Sequence, residues 1–254
     1  MANPRVLILR GPGTNCDRET AFAFEQAGAA AAPVHINRLI SGDERLGDYD
    51  ILVIPGGFTY GDDIAAGKVL ANELMLRLGE QVHRFISDGR LVLGICNGFQ
   101  VMVKAGILPG AKSREEYDIT LTNNDSNRFE CRWVHLNVVP GSPCVFTRGI
   151  ERMYLPVAHA EGKLVTSPQV LPSLPVALRY DSPDGGTATY PLNPNGSVAD
   201  IAGICDATGR VFALMPHPER YIRQMQHPRW TRGEGGEPGD GFGIFTNAVA
   251  FARG

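Results

Sequence analysis

In the stretch LVLGICNGFQ (residues 91–100) an apolar run stops on a cysteine, and a small polar turn, Asn97-Gly98, follows at once. Gly94 and Gly98 stand two residues before and two after Cys96. That is the spacing of a nucleophile elbow, where a strand hands over to a helix through a sharp, strained turn. Small neighbours are required because the nucleophile's backbone lies close to other chain. The helix start brings free N–H groups and the positive end of a dipole next to sulfur, which favours a thiolate. The N–H of Asn97 is placed to face a developing oxyanion. The competing reading is a cysteine that merely ends a strand.

A thiolate nucleophile needs a partner that shuttles protons, usually histidine. The chain has six histidines. His35 and His135 sit inside strand-like runs, His83 lies on a helix, His159 closes the apolar run PVAH, and His227 precedes Pro228 in a late polar region. His217 differs. In ALMPHPER it is flanked by Pro216 and Pro218, which restrain the backbone around the imidazole. Glu219 follows two residues on, and side chains two apart in an extended segment face the same side. Cys96, His217 and Glu219 therefore form a candidate triad, although H-P-E alone is equally a turn or a helix cap. The third element is IPGGF (54–58). Its two glycines allow a sharp turn at a strand's C-terminal end, where ligands bind in parallel sheets. The N–H of Gly57 is a candidate second oxyanion donor.

Two glycine-rich stretches are set aside. GDDIAAGKV (61–69) has the wrong glycine spacing for a Walker loop and lacks Ser or Thr after Lys68. RGPGTN (10–15) is not G-x-G-x-x-G. Neither a nucleotide site nor a metal cluster is expected.

The elements that must position these residues follow from apolar patterning. Strands are expected at 6–9, 33–36, 51–54 and 91–95. Helices are expected at 17–28, with Asp17 as N-cap, along Leu70, Leu74, Leu78, Val82 and Phe85 up to Gly89, and at 97–106. Strands alternating with helices imply an open, mostly parallel sheet covered on both faces. The second half adds strand candidates at 128–139, 153–159, 175–180, 200–206 and 210–216, punctuated by Pro-Gly, Asp-Gly and Asn-Gly turns. Residues 182–197 read as a loop excursion, 227–242 as a mobile loop and 243–252 as a closing helix. One domain is expected over 1–254.

Bulk properties narrow the partners. A formal net charge of −3 does not favour a nucleic-acid backbone or an anionic membrane. No apolar run approaches the roughly 20 residues that span a bilayer. The apolar run before Arg10 is too short for a signal core, so a cytoplasmic protein is expected. Five widely spaced cysteines without C-x-x-C support neither a zinc ribbon nor a disulfide framework.

Taken together, IPGGF, GICNGFQ and MPHPER resemble the class I (triad-type) glutamine amidotransferases, whose fold is flavodoxin-like. The blocks RGPGTNCDRET, PGGFTYGDDIAAGK, LGICNGFQVMVKAGILPG, PVAHAEGK, NGSVADIAGICD and ALMPHPER resemble, within that class, the glutaminase subunits of phosphoribosylformylglycinamidine synthases. The likeness runs over about residues 5–225, and Asn97 is a mark of that subgroup. It implies attack on L-glutamine's side-chain amide by Cys96, with His217 as general base and acid, Glu219 orienting it, and an oxyanion hole from Gly57 and Asn97. Phe58 and Gln100 would shape the glutamine pocket, against a plain reading as packing residues. It also implies a synthase large subunit as partner, carrying the ATP and Mg²⁺ that this chain has no site for. RFECRW and the long tail resemble the version fused to large synthases, yet the chain starts at Met just before its first strand. A separate subunit is therefore expected, with either a large synthase or a split one that has a small accessory subunit. Two other functions compete: a stand-alone elbow-cysteine hydrolase or stress protein, and a non-catalytic binding subunit.

Overall fold

The computed structural model describes residues 3–62, 65–110, 119–183 and 188–254. The uninterrupted apolar runs become strands buried on both faces, and the 3.6-residue patterns become the helices that bury them. In chain order the elements are β1 (Arg5–Arg10), α1 (Asp17–Gln26), β2 (Ala30–His35), α2 (Ile36–Ser41), β3 (Ile51–Ile54), α3 (Lys68–Ser87), β4 (Leu91–Ile95) and α4 (Asn97–Lys104). They continue with β5 (Ile119–Thr122), β6 (Glu130–Val138), β7 (Arg152–His159), β8 (Lys163–Thr166), β9 (Val176–Asp181), β10 (Ile201–Cys205), β11 (Val211–Leu214) and α5 (Phe242–Arg253).

Nine strands form one sheet in the order β2-β1-β3-β4-β11-β10-β9-β6-β7. From β2 to β11 the pairs are parallel, and from β11 onward they are antiparallel. The expected parallel core with added antiparallel strands is what the chain builds. β5 and β8 make a separate two-stranded antiparallel ribbon. The chain steps from β1 outward to β2, then from β3 the other way to β4. Crossovers of one hand then put α1 and α3 on opposite faces. Accordingly α1 packs with α5 through Phe24 and Phe245, whose rings meet edge to face at 5.0 Å. On α3, Leu70, Leu74, Leu78, Val82 and Phe85 are all buried. The direction of strand order reverses between β1 and β3, so a crevice opens beyond their carboxyl ends.

Some expectations shift. Asp17 is not the cap of α1. Cys16 holds the N-cap position without a side-chain capping bond, and Asp17 in the first turn pairs with Arg10 at 2.7 Å. The second strand stops at His35, whose imidazole accepts from the Asn37 N–H and caps α2. The 227–242 segment is tied to the rest of the chain at several points. Gly236 N donates to the Tyr221 hydroxyl, Gly239 N to Ile222 O, Gly241 N to Tyr221 O, and Asp240 accepts from Tyr154 N at 2.8 Å. The His227 ring is buried against Trp133, Tyr154 and Tyr221. Gly235, Gly239 and Gly241 are there for close approach: a Cβ on Gly241 would stand 2.1 Å from Pro218 O. Residues 184–187 of the 182–197 excursion lie outside the described residues, and its 188–197 part has no strand or helix beyond turns.

Candidate active site

β4 is buried along its whole length, and its final turn forces Cys96 into φ 51°, ψ −104°. L-residues rarely adopt that conformation, and holding it costs about 1–3 kcal/mol. The flanking glycines make the turn possible. A Cβ on Gly98 would lie 1.9 Å from Ile54 O, and one on Gly94 would lie 2.4 Å from Met102 Sδ. Cys96 is 5% exposed at the start of α4, where first-turn N–H groups gather and Asn97 is the first helical residue. Its sulfur lies 3.6 Å from the Ala158 carbonyl at the end of β7.

Sheet register carries His217 to this point. β11 lies directly beside β4, Leu214 pairs with Ile95, and Cys96 N donates to Leu214 O at 2.8 Å. Three residues later, His217 N is tied to Pro156 O of β7 at 2.8 Å. His217 and Glu219 are both 1% exposed, and Nδ1 meets Glu219 Oε1 at 2.6 Å. A carboxylate only accepts, so Nδ1 carries the proton and Nε2 is left for chemistry. Nε2 makes no hydrogen bond among the described residues. Triad contacts of this type commonly tighten only with substrate. Burial works against a charged imidazole here. Glu219, then the Cys96 and Cys16 sulfurs, outweigh it and hold His217 well above its ordinary range.

The PGGF turn lies across the crevice from the elbow. Gly57 has φ 138°, and a Cβ there would stand 2.8 Å from Asn15 N. Among the described residues its N–H donates to no backbone carbonyl. What backs this turn is GPGTNC, the loop after β1. Phe58 N donates to Gly13 O, Tyr60 N to Pro12 O and Cys16 N to Gly56 O, and Thr14 bridges Gly57. The glycine-rich stretch set aside as a phosphate loop is thus the support of the candidate oxyanion turn. A phosphate loop leaves its N–H groups to a ligand, whereas this one spends its carbonyls on a neighbouring turn.

A polar wall completes the site. Asn97 Oδ1 accepts from Thr59 N at 3.4 Å, and its Nδ2 donates to Gln100 Oε1 at 3.0 Å. Gln100 Nε2 donates to Glu161 O at 2.6 Å. The Glu161 carboxylate accepts from Ala66 N and pairs with Lys104 at 3.7 Å. Gln100 is 4% exposed and its amide is already engaged at both ends, so it shapes the pocket by holding the wall. Phe58 is 45% exposed, its ring 6.2 Å from that of Phe129. His159 is buried, with Nδ1 3.1 Å from Asn124 Oδ1. That oxygen also accepts from Gly162 N, so Nδ1 of His159 donates.

Sequence reasoning did not place Ala158, Glu161, Cys16 or Arg220 here. PVAHAEG carried a signal for the first two. Cys16 and Arg220 come from opposite ends of the chain, and no local pattern joins them. Cys16, His217 and Glu219 offer donor atoms within 4.8 Å of one another. Two features favour a proton over a cation. The 2.6 Å between Nδ1 and Oε1 is a hydrogen-bond distance, shorter than the about 3.3 Å between tetrahedral ligands each about 2 Å from a metal. Arg220 also already brings positive charge to 3.1 Å from the Cys16 sulfur.

Comparison with known proteins agrees with this geometry. Residues 3–252 match the family model described as the CobB/CobQ-like glutamine amidotransferase domain. The chain is 56% identical over 254 residues to the phosphoribosylformylglycinamidine synthase subunit PurQ of Dehalococcoides mccartyi, covering 100% of this chain and 99% of that one. It is 46% identical over 235 residues to the subunit of the same name from Methanococcus maripaludis, covering 89% and 86%. Among solved structures it is similar to a chain in the structure of PurLQS from Thermotoga maritima. The TM-score is 0.76 at 31% identity, with 98% of this chain and 99% of that chain covered. An elbow cysteine at the end of a parallel strand, a buried His-Glu pair just past the strand beside it and a match to this family model over residues 3–252 lead to one assignment: the chain belongs to the CobB/CobQ-like glutamine amidotransferase family.

Proposed function

We propose that this chain is the glutaminase subunit of a phosphoribosylformylglycinamidine synthase. It hydrolyses L-glutamine and supplies ammonia for the ATP-dependent amidination of formylglycinamide ribonucleotide in purine biosynthesis. The observation that carries the chemistry is the register of β11 on β4, which sets a Glu219-bound His217 against the elbow sulfur of Cys96.

The reaction follows from these groups. The Cys96 thiolate attacks the side-chain amide carbon of glutamine and forms a tetrahedral oxyanion. The N–H groups of Gly57 and Asn97 receive its charge. His217 gives the proton it holds to the departing nitrogen, the C–N bond breaks, and ammonia leaves a γ-glutamyl thioester on Cys96. His217 then takes a proton from water, the hydroxide attacks the thioester, and glutamate and the thiolate are released. Glu219 keeps the ring in the right tautomer and supports the imidazolium. Phe58 and the wall held by Gln100 shape the pocket.

ATP and Mg²⁺ belong to the synthase large subunit in this reading, with a small accessory subunit in the split type. The relatives' name and the likeness to a PurLQS chain support assembly with such partners. The cytoplasm is the compartment proposed. No described helix is long and apolar enough to cross a membrane.

The test is Cys96→Ala in the complex with the synthase. Glutamine-driven synthesis should be lost while ammonia-driven synthesis persists. Glutamine use surviving in that variant would remove Cys96 as the nucleophile.

A further inference from the structure

Cys16 and Arg220 carry no bond-making or proton-transfer step in the reaction above, yet both are built into its machinery. Cys16 ends the loop after β1 and is 1% exposed. Its thiol donates to Asn15 Oδ1 at 3.3 Å and accepts from Arg220 Nη2 at 3.1 Å. The Arg220 Nε stands 4.0 Å from Glu219 Oε1, outside hydrogen-bond reach. Glu219 Oε2 is buried with no partner. A guanidinium fork grips a carboxylate through two bonds where it can. Arg220, adjacent in sequence and partly exposed, is thus the natural competitor of His217 for Glu219. What holds it off is its bond to the Cys16 sulfur.

We propose that Cys16 is a positioning residue: it anchors Arg220 beside Glu219 and so leaves the carboxylate to His217. The charged and titratable groups around this point are few. His217 is faced by Glu219 and Arg220 from its own turn, Cys96 from the elbow, Cys16 from the loop after β1 and His159 from β7. Arg220 also feels Glu19 of α1. Without the anchor, Arg220 closes on Glu219, and the imidazole loses its main charge support.

The proposal rests on the triad reading, and its test is separate from that of Cys96. In the complex with the synthase, Cys16→Ala should lower kcat for glutamine about ten-fold while KM changes by less than about two-fold. The alkaline limb of its pH profile should move to lower pH. Cys16→Ser keeps an acceptor for Arg220 and should recover most of the rate. Removing the competitor as well, in Cys16→Ala with Arg220→Ala, should make the enzyme faster than Cys16→Ala alone. Unchanged thermal unfolding of each variant and its co-elution with the synthase report that it is folded and docked. A Cys16→Ala enzyme with wild-type rate and profile overturns the proposal. So does a double variant no faster than the single one, or a serine variant as impaired as alanine.

Discussion

Cys96 is held at φ 51° by its surroundings rather than by its own preference. Its N–H is tied to Leu214, and the residues two before and two after it, Gly94 and Gly98, are glycines that nothing larger can replace without displacement. His217 and Glu219 complete the arrangement, and the direction of the His217 shift sets a prediction. Glu219→Gln removes the largest charge supporting the imidazolium. The alkaline limb of the kcat/KM profile, which reports loss of the His217 proton, should move to lower pH. The rate should fall by roughly 10²–10⁴, the range that positioned acid–base groups contribute. A Glu219→Gln enzyme with an unmoved alkaline limb would show that Glu219 does not support His217.

The elements put a price on the elbow that differs between its two glycines. At Gly98 an added methyl meets the Ile54 backbone carbonyl, which belongs to the central strand β3 and cannot yield. At Gly94 it meets first the flexible thioether of Met102. Gly98→Ala should therefore cost at least the roughly 1–3 kcal/mol typical of overpacking, and more than Gly94→Ala. Thermal unfolding of the two variants checks this, and equal losses would count against it. Much at this scale was legible beforehand. ILVI and LVLGI become β3 and β4 as read, because strands buried on both faces leave uninterrupted apolar runs. The leucine ladder of α3 was equally plain. The β5–β8 ribbon escaped notice because its strands are four residues long and their pairing joins positions 41 to 47 apart, from Thr122 with Lys163 to Ile119 with Thr166. The role of GPGTNC escaped for a similar reason. Its partner is the turn after β3, so what it does is visible only in the paired loops. Of the candidate site, Cys96, His217 and Glu219 could be read from local motifs. Gln100 entered with the resemblance, and what sequence does not show is which groups its amide holds.

The whole molecule joins these pieces through one sheet, and its acid response can be traced to a buried residue. Burial, chiefly, and the neighbouring His217 push the His159 pKa down to about 4 from an ordinary 6.5. A depressed histidine is neutral in the folded protein while the unfolded chain takes up a proton. The associated stability is therefore intact above pH 6.5 and is lost as pH falls through the interval to about 4, a loss on the order of 3 kcal/mol. His159→Gln keeps a donor for Asn124 and should flatten the difference in unfolding temperature across that interval. Parallel curves for wild type and variant would contradict it. The position of β11 has one more consequence, and it concerns synthesis on the ribosome. This strand sits between β4 and β10, yet it is made almost last. Until residue 214 has emerged, β4 and β10 each present an unpaired edge, the kind of surface that recruits other chains. The nascent protein also cannot harbour a working thiolate, because His217 arrives three residues later. Premature release upstream of β11 would thus yield a chain both inert and prone to aggregate, so the last strand certifies that a finished subunit is the only one that can release ammonia.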